Sequence, residues 1–344
     1  MTLFKVFRFL LFPFSALWWL FATIRNTCYD NSILTSIKIQ EKSIVIGNLS
    51  TGGTGKSPMT IYLTNLFKES INVQLLSRGY GRSSKGYLKV NETHSVVDVG
   101  DEPLLFSRRF NNEVNVAVSE DRLIGIQKLR ELSSRSLIIL DDAYQHRKVK
   151  GGFSILLTSY NSIFVNDYLL PVGNLREPRV GAKRADVIVV TKCPKSIDEN
   201  KKSELKNSLS KYGKPVFFSS IRYSKPIYFG NSSEISTNVL LVTGIANPKP
   251  LIQYLAFSNK IEHISFPDHH NFTEKEIKEI HEKIDTFVNE KWSIITTEKD
   301  YMRLLPYQDN WDLSKYPWFY IPIDIEIENK QEFNQLLINY VVNI

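Results

Sequence analysis

The residues that most directly specify chemistry in this chain lie in one glycine-rich stretch after a short apolar run: Gly47-Asn48-Leu49-Ser50-Thr51-Gly52-Gly53-Thr54-Gly55-Lys56-Ser57. Backbone N–H groups in such a loop can point at phosphate oxygens, and the start of a following helix adds partial positive charge. Lys56 would reach the β- and γ-phosphates of a nucleoside triphosphate, and the Ser57 hydroxyl would hold Mg2+. The expected cradle is Ser50, Thr51, Gly52, Gly53, Thr54, Gly55, Lys56 and Ser57. The strict pattern has glycine where this chain has Ser50; Gly52 and Gly53 keep the loop flexible.

A second signal supports the first. The apolar run Leu137–Leu140 leads straight into Asp141-Asp142. A carboxylate at a strand end beside a phosphate loop is the usual outer partner of magnesium. An Asp-Asp turn closing a buried strand would look the same in isolation. Transfer to a hydroxyl also needs a group to take its proton. The candidates are Asp101, in Gly100-Asp101-Glu102-Pro103, and His269 or His270. A carboxylate and an imidazole can act together, each orienting and tuning the other. Arg176, Arg179, Lys183 and Arg184 crowd the stretch from Asn174 to Arg184. It reads either as a site for a substrate phosphate or anionic headgroup or as a solvated charged loop.

Holding these groups in place takes a parallel sheet. Short β-branched runs recur at 43–46, 73–76, 114–118, 137–140, 155–157 and 187–190, with helical stretches such as Ile61 to Lys68 and Arg122 to Leu132 between them. Continuous apolar strands covered on both faces predict a doubly wound α/β core. A stretch rich in Ser, Pro, Gly and Asn at 223–238 reads as a linker. Strands resume at 239–242, 261–264, 293–296 and 318–321. Thr273 and Glu276 form a capping-box pattern ahead of a helix with Ile277, Ile280, Ile284, Phe287 and Val288 on one face. The expected organisation is therefore an N-terminal membrane-associated helix at 1–27, a P-loop core at 28–222, the linker, and a smaller α/β lobe at 239–344.

Composition narrows the class. Hydrophobic residues make up 42% and charged residues 23%, which allows a real core and argues against disorder. The net charge of +7 suits an anionic membrane or a phosphorylated substrate. The chain shows no long basic block and no zinc-finger spacing, so nucleic acid is not expected. Cys28 and Cys193 are far apart and suggest neither a disulfide framework nor a zinc site. The N-terminal run Phe9–Ile24, flanked by Lys5, Arg8 and Arg25, is short for a spanning helix. Its paired Trp18 and Trp19 suit an interface. The expectation is a retained anchor, interfacial or shallowly inserted, with the body on the cytosolic side.

Taken in order, several motifs resemble the tetraacyldisaccharide 4'-kinase family. They are Gly47 through Pro58, Ser77-Arg78-Gly79-Tyr80, Gly100-Asp101-Glu102-Pro103, Asp141-Asp142-Ala143-Tyr144-Gln145-His146, Arg176-Glu177-Pro178, Arg184-Ala185-Asp186, Asp268-His269-His270 and Thr297-Glu298-Lys299-Asp300. The resemblance implies an ATP- and Mg2+-dependent kinase of the lipid A pathway at the cytoplasmic face of the inner membrane. Such an enzyme phosphorylates the 4'-hydroxyl of a tetraacylated glucosamine disaccharide 1-phosphate to give lipid IVA, and no protein partner is implied. It places the catalytic pair on Asp101 and His269, with Lys56 and Asp142 beside them. It puts metal ligands on Ser57, Asp141, Asp142 and Glu177, and ties Thr54, Arg78, Glu102, Arg122, Gln145 and Arg176 to activity or substrate. Ser57 stands for the commoner Thr, and Tyr144 for the usual Phe.

Two other classes are weighed against this. A P-loop GTPase would need aspartate where Pro194 follows Thr191-Lys192-Cys193, and its relatives with a signature lysine would need one at Thr51. A catalytically silent lipid-binding scaffold would have no reason to keep Lys56, Ser57, Asp101, Asp142 and His269 together.

Overall fold

A computed structural model of the chain describes residues 8, 10–111, 113–133, 135–231, 234–257, 259–287, 290–308 and 313–342. Lys5, Phe9 and Val288 lie outside them. The first half contains α1 (Phe12–Asp30), β1 (Lys42–Asn48), α2 (Lys56–Phe67), β2 (Val73–Ser77), α3 (Asp101–Phe110), β3 (Asn115–Val118), α4 (Arg122–Leu132), β4 (Leu137–Leu140) and β5 (Phe153–Ser159). The second contains β6 (Val187–Cys193), α5 (Glu199–Ser210), β7 (Val216–Tyr223), β8 (Asn238–Thr243), α6 (Lys249–Ala256), β9 (Lys260–Ser265), α7 (Glu274–Asp285), β10 (Trp292–Thr297), α8 (Glu298–Leu304), β11 (Trp318–Ile321), β12 (Ile323–Ile327) and α9 (Lys330–Val342).

The larger sheet has nine strands in the order β12-β7-β6-β5-β1-β4-β2-β3, ending on the short strand Leu88–Lys89. Its interior pairs are parallel; only the two edge strands, β12 and Leu88–Lys89, run antiparallel. Alternate residues of one strand face opposite cores, as the two-residue period requires. Ile139 of β4 meets Met59 and Leu63 of α2, Phe106 of α3 and Phe333 of α9 in one cluster. Its neighbours Ile138 and Leu140 meet Ile126 and Leu129 of α4 in another. Helices thus cover both faces, which is why these strands read as unbroken apolar runs.

The smaller sheet has five strands in the order Ile227–Tyr228, β11, β10, β8, β9. α7 covers one face through Ile277 and Ile280, and α6 the other through Leu251 and Leu255. The Thr273–Glu276 capping box at the start of α7 is present.

Two expected boundaries change. Tyr223 is the last residue of β7, and Ile227–Tyr228 is a strand of the second sheet, so 223–238 is not a free linker. The second change is that residues 323–342 do not belong to the second lobe. After β11 the chain returns, β12 pairs with β7, and Phe333, Leu337 and Val341 of α9 bury in the first core. α1 extends to Asp30 and leaves Phe12, Phe14, Leu17, Trp18, Trp19, Leu20, Phe21 and Ile24 exposed. No helix among the described residues is long and apolar enough to cross a membrane.

Candidate active site

β1 delivers the glycine-rich loop to the end of the central strand of the larger sheet, where α2 begins. Gly55, at φ +87°, caps α2 in a left-handed conformation that side chains resist. The loop is braced from several sides. Asn48 Nδ2 donates to Thr54 Oγ1 at 2.8 Å, and Thr191 Oγ1 donates to Thr54 O at 2.7 Å. Thr51 N donates to Asn174 O, and Arg176 N to Leu49 O, both at 2.7 Å. Gly47 lies so close to Tyr144 that a Cβ there would come within 2.5 Å of the Tyr144 Cβ.

Lys56 Nζ sits 3.7 Å from Asp142 Oδ1. Asp142 follows β4 with φ +46° and also receives Arg176 Nη1 at 3.2 Å. Asp141 is buried and accepts from Thr60 Oγ1 at 3.2 Å and Ser77 Oγ at 3.1 Å. Burial, then the negative charges of Glu102 and Asp142, push its carboxyl up to about 7. Ser57 Oγ donates to Glu102 Oε1. Among the described residues no cluster of three or more His, Cys, Asp or Glu side chains forms a ready metal site. The donors present are nevertheless hard oxygens, and the mutual repulsion of Asp141, Asp142 and Glu102 is what a divalent cation would relieve. Ser57, Asp142 and Asp141 therefore fit magnesium.

The second lobe closes on this side of the sheet. Asp101, first residue of α3 and buried, accepts from Arg303 Nη2 at 2.6 Å and bonds His269 Nδ1 at 3.0 Å. Burial alone would raise its pKa, but the His269 hydrogen bond and the charges of Lys299 and Arg303 hold the carboxyl far below its usual range. His269, in the loop before α7 and at φ +58°, is shifted upward, first by its bond to Asp101. His270 turns elsewhere and bonds Glu276 at 3.0 Å, so the structure separates the two histidines that sequence left open. Lys299 Nζ crosses from α8 to Glu102 Oε1 at 2.7 Å.

Two of the expected substrate or metal residues, Arg122 and Glu177, are buried. Arg122 is 2% exposed and donates to Ser119 O at 2.6 Å and Asp141 O at 3.2 Å, so it holds the aspartate turn from beneath. Glu177 is 4% exposed and takes hydrogen bonds from Asn26 at 3.1 Å, Gln145 at 2.9 Å and Arg184 at 2.8 Å. None of its described bonds reaches Ser57, Asp141 or Asp142. Gln145 Nε2 also donates to Asn48 O at 2.6 Å. Asn26, Glu177, Gln145, Asn48 and Thr54 thus form one continuous chain of hydrogen bonds from α1 to the phosphate loop. Arg78 is exposed. Sequence reasoning gave no role to Asn26, Lys192, Lys299 or Arg303; the last two lie one helical turn apart on α8, a spacing that could have flagged them.

A two-lobed α/β kinase, with a phosphate loop on one lobe and a histidine brought to it by the other, is the class these features define. A family model described as Tetraacyldisaccharide-1-P 4'-kinase matches residues 7–342. A tetraacyldisaccharide 4'-kinase of Flavobacterium psychrophilum is 43% identical over 341 residues, covering 96% of both chains. One from Flavobacterium johnsoniae is 42% identical over 343 residues and covers 97% of both. The crystal structure of LpxK from Aquifex aeolicus in complex with ATP, an "apo" form, superposes with a TM-score of 0.75 at 30% identity, over 97% of this chain and 99% of that one. The chain belongs to the tetraacyldisaccharide 4'-kinase family.

Proposed function

We propose that the chain transfers the γ-phosphate of ATP to the 4'-hydroxyl of a tetraacylated disaccharide 1-phosphate, giving lipid IVA. The observation that carries this is the juxtaposition at the cleft. Lys56 and Ser57 face it from the phosphate loop, while His269 reaches it from the other lobe bonded to Asp101. Pro194 occupies the position where a guanine-reading aspartate would stand, which leaves ATP as the donor.

In this mechanism the loop amides and Lys56 hold the triphosphate and offset the charge that spreads over its oxygens during transfer. Ser57, Asp142 and Asp141 would hold Mg2+, which when bound neutralises charge on the β- and γ-oxygens. Arg122 and Thr60 keep Asp141 in place from below. The Asp101–His269 pair takes the hydroxyl proton. The pair could act in either order, with Asp101 as the base and His269 orienting it, or the reverse. The geometry favours the reverse order in this conformation. Asp101 is buried and already accepts from Arg303 and the backbone of Glu102, whereas the nearest carboxylate to His269 Nε2, on Asp268, is 3.8 Å away. With Nδ1–H directed to Asp101, Nε2 carries the lone pair that meets the substrate. Arg78 and the exposed ring of Tyr80, whose centroid is 5.8 Å from that of His269, lie where the sugar would enter.

The exposed apolar face of α1 would lie in the headgroup region of the inner membrane, with Arg25 near the lipid phosphates. The apolar groove between Phe14, Trp18, Leu170 and Pro171 is suited to acyl chains. Purified protein given ATP, Mg2+ and the tetraacyl disaccharide 1-phosphate should add one phosphate to the lipid by mass spectrometry. ATP hydrolysis with no phosphorylated lipid would overturn the assignment.

A further inference from the structure

The end of β6 carries a lysine that the mechanism above does not use. β6 pairs with β7 in register from Val216↔Ile188 to Phe218↔Val190, and the next pair is Ser220↔Cys193. Two residues of β6, Thr191 and Lys192, therefore stand against the single residue Ser219. This is a β-bulge, a device that re-aims a side chain at a sheet rim. Lys192 takes φ +58°, a left-handed conformation that a residue with a long side chain adopts only where its surroundings enforce it. Thr191, on one side of the bulge, is anchored to Thr54 O at 2.7 Å and Thr158 O at 3.2 Å.

The result is an ammonium group pointed into the phosphate loop. Lys192 Nζ donates to Gly53 O at 2.5 Å. The other lysines at this cleft each have a carboxylate: Lys56 has Asp142 at 3.7 Å and Lys299 has Glu102 at 2.7 Å. Among the described ion pairs Lys192 has none; a neutral carbonyl is its partner. Burial, then the positive charges of Lys299 and Lys56, disfavour its charged form. A half-buried cation among like charges, held in a strained backbone at the mouth of an anion-binding loop, lacks a counter-ion that the chain does not supply.

We propose that Lys192 is a second triphosphate-binding lysine, which leaves the carbonyl of Gly53 and contacts the β–γ end of ATP when the nucleotide fills the loop. This rests on the phosphate-loop assignment and adds a residue to it. The role suits lysine's chemistry, since a flexible stem with rotatable donors can exchange one acceptor for another without moving the strand. The alternative role is a fixed staple between β6 and the loop.

Binding of ATP, ADP and AMP to the full-length protein, read by calorimetry, separates the two. Lys192→Met should weaken ATP on the order of 10–100-fold, the loss of one charge-assisted contact, and leave AMP unchanged. Lys192→Arg should recover part of that loss. Lys192→Gly removes the side chain while accepting the positive φ, so it tests the ammonium in a backbone that folds without strain. Equal weakening of ATP and AMP, or unchanged ATP binding in both the Met and Gly variants, would make Lys192 a staple and overturn the proposal. Lys56→Ala in the same titrations keeps the underlying assignment separate. If it abolishes transfer while Lys192→Met binds ATP normally, only the Lys192 proposal fails. If Lys56→Ala also binds and turns over ATP normally, the phosphate loop itself is misassigned and the proposal falls with it.

Discussion

At the scale of single residues, the cleft is governed by which charges are buried and which remain open. His269 is raised above its ordinary value chiefly by the hydrogen bond to Asp101. If Nε2 accepts the substrate proton, His269 must be neutral, so turnover should fall as pH drops through its raised pKa, and the acid limb should lie above ~6.5. Asp101→Asn removes the cause of the shift and should move that limb to lower pH, besides slowing turnover by ~10²–10⁴-fold. An acid limb that stays in place would return the base to Asp101. The sign for stability is opposite. A raised histidine stabilises the fold fully below its unfolded pKa, and the contribution is lost as pH rises through the folded one. The double variant of Asp101 and His269 should be little slower than the worse single one, because paired groups act as a unit. Arg303 is a different kind of residue. It is 3% exposed and bonds Asp101, Asp300 and Gly244 O. Arg303→Met takes the guanidinium away from the buried carboxylates of Asp101 and Asp300 and should cost about 3–5 kcal/mol, read as a lower denaturant midpoint. The chemistry-bearing residues were legible in sequence because each sits in a short local motif. Burial was not. Nothing in Arg176-Glu177-Pro178 reveals that Glu177 is enclosed by Asn26, Gln145 and Arg184, since Asn26 and Gln145 come from distant places in the chain and Arg184 from the far end of the same basic stretch.

At the scale of elements, α1 is tied to the body of the protein by polar contacts. Trp18 Nε1 donates to Arg176 O at 2.9 Å, Ser15 Oγ to Leu169 O at 3.0 Å, and Arg25 to Gln145 O at 2.9 Å. The helix thus rests on the segment that pairs with the phosphate loop, and the relay from Asn26 to Thr54 continues inward. Deleting residues 1–25 should abolish sedimentation with anionic vesicles and should also weaken ATP binding, because Trp18, Ser15 and Arg25 all leave with it. A truncated protein that still sediments fully in high salt would place the membrane contact elsewhere. Asn26→Asp isolates the relay from the membrane. It sets a second carboxylate against Glu177 and should cost about 1–3 kcal/mol in stability and weaken ATP, with vesicle binding unchanged. The apolar run that became α1 was legible from composition. Its polar docking was not, because Ser15, Trp18 and Arg25 donate to backbone carbonyls that no sequence pattern marks.

At the scale of the whole molecule, the doubly wound sheet was readable from unbroken β-branched runs, and the smaller sheet from its own. The return of the C-terminus was hidden. β12 reads Ile-Asp-Ile-Glu-Ile, an alternating edge strand with nothing in it to say which sheet it joins. Arg109 marks the place in the structure, bonding Glu298 of α8 at 2.8 Å and Asp324 of β12 at 2.6 Å. Arg109→Ala should therefore loosen the junction, lowering kcat more than ATP affinity; equal loss in both would mean that the pair serves the nucleotide site instead. That return also decides how the lobes can move. Tyr223 pairs with Ile323, Ser224 N donates to Pro322 O at 3.0 Å, and Ile227 pairs with Tyr320. The outgoing and returning strands run side by side, so the lobes are joined by a two-ply strap rather than by a single thread. A strap flexes readily across its face and resists both swivelling and sliding. Any approach of the second lobe to the phosphate loop would then be a nod about that strap, and it would bring His269 to Asp101 in one register.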